Sequence, residues 1–273
     1  MDYTFLTSVY KNTKADEMRE CVDSMENQTV KPEQIVVVLD GEVNEQLKEY
    51  IDFLANEKPN LYTIVPLAQN VGLGNALKEG MEHCRNELVA RMDTDDICVL
   101  DRCEKQIACF EKDPDLSIVG ADIAEFDTTI DNIVSYRKVP ALHEEICEYL
   151  KSRCPFNHMT VMFRKSEVIK AGNYQHWHYN EDSYLWARMY LASCKFLNIP
   201  EVLVYARIDK ATFKRRGGYK YYKSERDLFK FMYKNKIIGF FAYHKAKFIR
   251  FVVQVLMPNS VRQWFFKKFA RSK

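Results

Sequence analysis

Over the first 112 residues, short apolar runs alternate with longer amphipathic stretches. Tyr3–Val9 is brief, apolar and made of residues that favour strands. Ile35–Leu39 is a continuous, mostly β-branched run, the mark of a strand buried on both faces. Leu61–Val65 and Leu88–Met92 read as strands too. Between them, Ala15–Gln28 spaces Met18, Cys21, Val22 and Met25 as one face of a helix. Asn44–Asn56 does the same with Leu47, Ile51 and Leu54, behind Asn44 as a candidate N-cap. Gly74–Cys84 and Asp101–Lys112 complete the series as helices. Repeated strand–helix order predicts an α/β fold with a parallel sheet covered on both faces.

From Leu116 the rhythm changes. Leu116–Val119, Ile123–Phe126, Ile133–Val139 and Met159–Phe163 read as shorter strands, and Lys195–Ile199 and Val202–Ile208 close the set. His143–Lys151 and Asp182–Leu191 read as helices. This half has an α+β character and is expected to hold a second substrate. Residues 220–273 are helical by pattern. The expected organisation is a domain at 1–219, with halves at 1–115 and 116–219, and an extension at 220–273. No internal repeat or flexible linker interrupts it.

Charge divides along the same line. Residues 211–273 carry 17 Lys and Arg against two acids, Glu225 and Asp227, whereas residues 1–210 are net acidic. Sixteen of the 36 aromatic residues also fall in 211–273. Basic and aromatic side chains on helices fit an anionic membrane surface, a helical cap on the domain, or a homodimer interface. They could also grip nucleic acid, but the acidic front and the lack of a nucleic-acid-binding motif argue against it. With 47% apolar and 29% charged residues the chain is not disordered by composition. Eight cysteines without CxxC spacing read as reduced, mostly buried thiols of a cytosolic protein, not as a zinc site. No secretory leader is expected at the N-terminus, and no uncharged apolar run approaches the ~18–20 residues of a spanning helix.

In parallel sheets, ligands sit at the carboxyl ends of the strands. The unusual polar residues fall there: Tyr10, then Asp40-Gly41, then Asn70-Val71-Gly72-Leu73-Gly74, then Arg91-Met92-Asp93-Thr94-Asp95-Asp96. Three carboxylates within four residues repel one another unless a cation neutralises them. Oxygen ligands suit Mg²⁺ or Mn²⁺, which take one or two carboxylates plus substrate phosphates. A solvated turn is the plainer reading. Asp40-Gly41 reads either as a plain turn or as an acceptor for a base or ribose. The glycines at 72 and 74 could form a phosphate nest, but they match neither the dinucleotide nor the Walker pattern. Glu181-Asp182 reads either as a helix start or as a general base. His158 reads either as a phosphate donor or as a satisfied buried histidine, and Arg215-Arg216 as an anion site or the start of the basic tail.

Taken in order, these stretches resemble family 2 glycosyltransferases. The residues that carry the likeness are Thr7-Ser8-Val9-Tyr10, Asn27-Gln28-Thr29, Val38-Leu39-Asp40-Gly41, Asn70 to Gly74, Ala90 to Ile97, and Glu181-Asp182-Ser183-Tyr184-Leu185-Trp186. Tyr136-Arg137-Lys138-Val139-Pro140, Pro155 to Met162 and Arg215-Arg216-Gly217-Gly218 are similar to the amylovoran-type branch, which builds exopolysaccharide, capsule or O-antigen repeats. The likeness spans about residues 3–220.

The resemblance implies a GT-A fold, Rossmann-like with a mostly parallel sheet and flanking helices, plus the helical basic-aromatic extension. It implies an inverting, metal-dependent transfer of one sugar from a nucleotide-diphosphate sugar, a UDP-sugar by family frequency, to a saccharide acceptor, lipid-linked in this branch. Thr7, Tyr10, Asp40, Asn70, Gly72, Arg91, Asp93, Thr94 and Asp95 would bind the donor, with Arg215 and Arg216 on its diphosphate. Asp95, with Asp93 and Asp96 as alternatives, would hold Mn²⁺ or Mg²⁺. Asp182 would be the base with Glu181 beside it, and His158 and Trp186 would face the acceptor. The enzyme would work in the cytoplasm, on the inner face of the membrane if 220–273 binds lipid. Two departures stand out. Leu39 replaces the first Asp of the usual Asp-Asp-Gly-Ser, and the Gln-x-x-Arg-Trp of processive synthases is absent, so a single transfer is expected. A nucleotide-sugar-binding protein without catalysis and a nucleotidyltransferase are the alternatives.

Overall fold

The computed structural model describes residues 1–208 and 217–258. Arg215, Arg216 and the basic stretch after Pro258 lie outside the described residues. The first four strands are β1 (Tyr3–Val9), β2 (Gln34–Leu39), β3 (Tyr62–Pro66) and β4 (Leu88–Arg91). Helices α1 (Ala15–Glu26), α2 (Glu45–Glu57) and α3 (Leu73–His83) link them, and α4 (Arg102–Lys112) follows. The side chain of Asn44 caps α2 by accepting from the Leu47 amide at 2.9 Å. β1 to β4 are mutually parallel, in the spatial order β3-β2-β1-β4. The chain leaves β1 in one direction to build β2 and β3, then crosses to the other side for β4. A crevice opens at the carboxyl ends of such a reversal point.

The second half extends the same sheet with β5 (Ile97–Cys98), β6 (Leu116–Phe126), β7 (Ile133–Arg137), β8 (Met162–Arg164) and β9 (Lys195–Arg207). Together they complete the order β3-β2-β1-β4-β8-β6-β9-β5, with β7 paired to β6. β6 and β9 run parallel, whereas β8 is antiparallel to both its neighbours. Alternate residues feed two apolar layers. Phe5, Ile35, Val37 and Ala90 meet α1, α2 and α4 on one face. After α4 come the helices α5 (His143–Leu150), α6 (Lys165–Lys170) and α7 (Glu181–Leu191). Leu6, Val36, Val38 and Val89 meet α3 and α7 on the other face. All eight cysteines are free thiols and five are buried.

Three expectations change. The two short strands at 116–126 are one strand, β6, and those at 195–208 are one strand, β9. Gly120 and Asp122 look like breakers, yet both serve the sheet. A Cβ on Gly120 would lie 2.2 Å from Asn198 Oδ1, and buried Asp122 accepts from the Val139 amide at 2.9 Å. The expected strand at Met159–Phe163 is split. His158–Thr160 forms a 3-10 turn and only Met162–Arg164 is strand. The Thr160 hydroxyl stabilises that turn, donating to Asn157 O and accepting from the Ala121 amide.

The C-terminal part is a helical hairpin of α8 (Tyr219–Lys234) and α9 (Phe240–Phe251), continued by a π-helical turn at Val252–Leu256. α8 buries Leu228, Phe229 and Met232 in the same apolar layer as α3 and α7. α9 buries none of its residues. Among the described residues, no helix is long and apolar enough to cross a membrane.

Candidate active site

The turn after β2 is the first wall of the crevice. Asp40 is buried, and its carboxylate accepts from the Val71 amide at 2.6 Å, the Gly72 amide at 3.1 Å and Asn70 Nδ2 at 2.9 Å. Asp40, Asn70 and Gly72 therefore form one unit, in which the carboxylate orders the loop that opens α3. Gly41 makes this approach possible. Its φ is +81°, and a Cβ there would lie 2.5 Å from the Asn70 amide nitrogen. Tyr10, at the end of β1, leaves its ring exposed to solvent.

β4 delivers the acidic cluster. Arg91 is the last residue of β4, almost fully buried, and ion-paired to Asp93. The Asp93 carboxylate is one-third exposed. Asp96 is buried; one oxygen accepts from the Arg207 amide at 2.8 Å and the other has no hydrogen-bond partner. Burial and the charges of Asp95 and Asp93 hold the Asp96 carboxyl well above the usual carboxylate range. Asp95 is exposed on this turn, among the charges of its neighbouring acids. Desolvation and neighbouring Asp93 push it up to about 6. Its carboxylate has no ion-pair partner among the described residues.

Arg207, at the carboxyl end of β9, clamps this turn. Its Nε donates to Asp95 O at 3.1 Å, its Nη1 to Thr128 O at 3.0 Å, and it pairs with Glu20 of α1. Nothing in the sequence reading singled it out. The signal was present, because the rule that polar residues at carboxyl strand ends matter applies to β9 as well as to β4.

The opposite wall is the start of α7. Glu181 is pushed up to about 7 by burial and by Asp182, and it also feels Arg91 and Asp93. Asp182 Oδ1 accepts from the Ser183 amide at 2.6 Å, and Oδ2 accepts from the Cys154 thiol at 3.4 Å. Gly74 lets α3 come close, since a Cβ there would lie 2.6 Å from Gln175 O and 3.1 Å from Glu181 Cβ. Arg91, Asp93, Glu181 and Asp182 thus share one electrostatic neighbourhood, although some 90 residues separate the two pairs.

Other expected residues sit elsewhere. Thr7 is fully buried within β1, registered against Val37, and does not reach the crevice; the strand must run two more residues before it emerges. Trp186 is fully buried, edge-on to Phe156 and His158, so it builds the floor and does not meet an acceptor. Helical periodicity turns it inward, four residues on from Asp182. His158 lies 2.9 Å from the Tyr174 hydroxyl, and burial plus the Arg91 charge keep its ring neutral. Thr94 is buried.

The residues present fit a divalent cation of the kind the sequence implied. Crowded carboxylates with raised proton affinity, one of them holding a buried oxygen without a partner, are what a cation would relieve. Among the described residues, no three His, Cys, Asp or Glu side chains form a ready-made cage. Mg²⁺ or Mn²⁺ bound here would share its ligands with substrate phosphates.

Comparison with known proteins agrees with this geometry. The sequence profile described as Glycosyl transferase family 2 matches residues 4–169. The amylovoran biosynthesis glycosyltransferase AmsE of Erwinia amylovora is 38% identical over 266 residues, covering 97% of this chain and 98% of its own. An Escherichia coli protein, UDP-Gal:alpha-D-GlcNAc-diphosphoundecaprenol beta-1,3-galactosyltransferase, is 32% identical over 269 residues, covering 98% of this chain and 96% of its own. The structure superposes with a TM-score of 0.63 on the mannosyltransferase PcManGT of Pyrobaculum calidifontis in complex with GDP-Man and Mn²⁺. That match covers 95% of this chain and 71% of the other at 15% identity, a likeness of fold. With the expected GT-A fold in place and the profile matched over most of its length, the chain belongs to glycosyltransferase family 2 and is a glycosyltransferase.

Proposed function

We propose that this enzyme transfers one sugar, with inversion, from a UDP-sugar to a saccharide carried on a lipid diphosphate, in the assembly of a bacterial surface polysaccharide. The observation that carries the reading is the joining of Arg91–Asp93 at the end of β4 with Glu181–Asp182 at the start of α7. It supports reading a donor site and a base on facing walls of one crevice. The names of the Erwinia and Escherichia relatives support the acceptor class and the pathway type.

The exposed ring of Tyr10 stacks on the nucleobase. The loop ordered by Asp40 brings the Asn70–Gly72 backbone toward the ribose and the start of α3 toward the diphosphate, where helix amides favour negative charge. Asp95, with Asp93 and Asp96 beside it, would hold a divalent cation, which when bound would supply positive charge to offset that of a departing diphosphate. Arg215 and Arg216, which lie outside the described residues, keep the diphosphate role that the family resemblance implies. Asp182 takes the proton of the acceptor hydroxyl, whose oxygen bonds to the anomeric carbon as the carbon–oxygen bond to the diphosphate breaks. The Ser183 amide and Cys154 thiol hold its oxygens in orientation. The enzyme acts from the cytoplasm, and the exposed aromatic and basic residues of α9 meet the inner membrane leaflet.

The test is thermal stabilisation by a panel of nucleoside diphosphates with and without Mn²⁺, followed by NMR of the anomeric linkage in the product. Mn²⁺-dependent stabilisation by UDP alone, lost in Asp95→Ala, is the expected result. A full set of nucleotides without effect overturns the donor assignment.

A further inference from the structure

A cavity of about 780 Å³ lies between the start of α7, residues 148–155 and the α8–α9 hairpin. This is within the range of about 300–1,000 Å³ typical of ligand sites. Its two walls differ in chemistry. Met232, Ile238, Ala242, Ile249 and Val253 make one wall mostly apolar, with Lys245 of α9 also lining it. Arg137, Lys138 and Arg153 line the other, and Asp182 stands at that side.

Asp182 stands beside these cations and Asp122 feels Arg137 and Lys138, yet the cavity lining as a whole carries six Lys and Arg against three acids. Arg137 donates to Phe156 O, Cys154 O and Asn157 Oδ1, all neutral acceptors. Lys138 and Arg153 have no ion-pair partner among the described residues. Two of the acids that line the cavity are already neutralised. Glu225 pairs with Arg250, and Glu148 with Lys151. Arg250 also donates to Ser152 O at 2.8 Å, tying α9 to the far side of the cavity. The site is thus held open beside the base, mostly apolar along one side and cationic along the other.

We propose that this cavity receives the lipid carrier of the acceptor, with an isoprenoid-like chain along α8 and α9 and its diphosphate at Arg137, Lys138 and Arg153. The assignment rests on the transferase reading above and gives it a second substrate site. Such a molecule would present its terminal sugar toward Asp182 while the chain leads out along the exposed face of α9.

The experiment uses the full chain and farnesyl diphosphate, titrated by calorimetry in EDTA so that no metal can anchor the diphosphate at the donor site. Farnesyl diphosphate is expected to bind at least tenfold more tightly than farnesol or inorganic diphosphate. Lys138→Glu with Arg153→Glu removes the cations, and Ala242→Trp narrows the exposed apolar wall. Each should weaken farnesyl diphosphate at least tenfold while Mn²⁺-dependent UDP binding persists, which also shows that the variants fold. Equal affinity for inorganic diphosphate, indifference to Ala242→Trp, or competition with UDP overturns the proposal. So does equal displacement of the probe by phosphatidylglycerol vesicles, which would make the ligand bulk lipid. UDP binding without farnesyl diphosphate binding sinks this site and leaves the transferase reading standing. Failure of UDP alone does the reverse.

Discussion

At the carboxyl ends of β2, β4 and β9, polar groups are held by neighbours in the fold. Asp40 accepts three hydrogen bonds from the 70–72 loop, Asp93 pairs with Arg91, and Arg207 ties the acidic turn to α1 and β9. Along α9 the opposite holds. Phe241 and Phe248 stand 86% and 69% exposed, and no residue of the helix is buried. Even its neighbour α8 differs, with Phe229 and Met232 sunk into the main apolar layer. The contrast separates two ways of recognising a ligand. The rim fixes dipoles and charges in advance, as chemistry on a charged donor requires. The hairpin keeps apolar surface available for a partner that brings its own.

The comparison can be tested at four strengths. Asp182→Asn should cut sugar transfer by about 10²–10⁴-fold, the range for loss of a general base, while leaving UDP affinity within a few-fold. Steady-state rates with a defined acceptor check this, and a variant with near-normal rates moves the base to Glu181. Trp186→Ala should cost about 3–5 kcal/mol of stability in urea unfolding, because a large buried ring leaves a cavity. A loss under 1 kcal/mol would mean that the floor collapses around the gap.

The third test uses pH. Glu181 ionises near 7 in the fold against 4.5 in a free chain, so folding favours its protonated form. Its ionisation therefore destabilises the fold increasingly as pH rises from about 4.5 to 7. The melting temperature of Glu181→Gln should gain on the wild type across that window and stay level above it. A constant difference would mean that burial and Asp182 do not raise Glu181 in the fold. The smallest effect on stability is expected for Phe248→Ala, within about 0.5 kcal/mol, since the ring is exposed. Binding to anionic liposomes, measured by flotation at low and high salt, should nonetheless fall. Unchanged flotation would make the exposed face of α9 something other than a membrane contact.

The amino-acid sequence by itself determined the strand–helix series of the first half, the buried nature of β2 and the cap of α2. These follow from side-chain periodicity and short-range hydrogen bonding, which neighbours in sequence control. It also located the polar clusters at Asp40, Asn70–Gly72, Asp93–Asp96 and Glu181–Asp182, because such groups interrupt apolar patterns. Only the tertiary structure decided which of these meet. That Asp40 holds the 70–72 loop, that Arg207 clamps the turn at Asp95, and that Thr7 and Trp186 face inward depends on strand register and helix rotation. Residues as far apart as Arg91 and Glu181 become neighbours only when the sheet forms. Gly120 looks like a strand break along the chain and is instead a place where Asn198 and Phe156 need the room. Distant packing overrides local propensity wherever the closest neighbour is far away in sequence, and the catalytic crevice and the lipid-carrier cavity proposed beside it are made almost entirely of such neighbours.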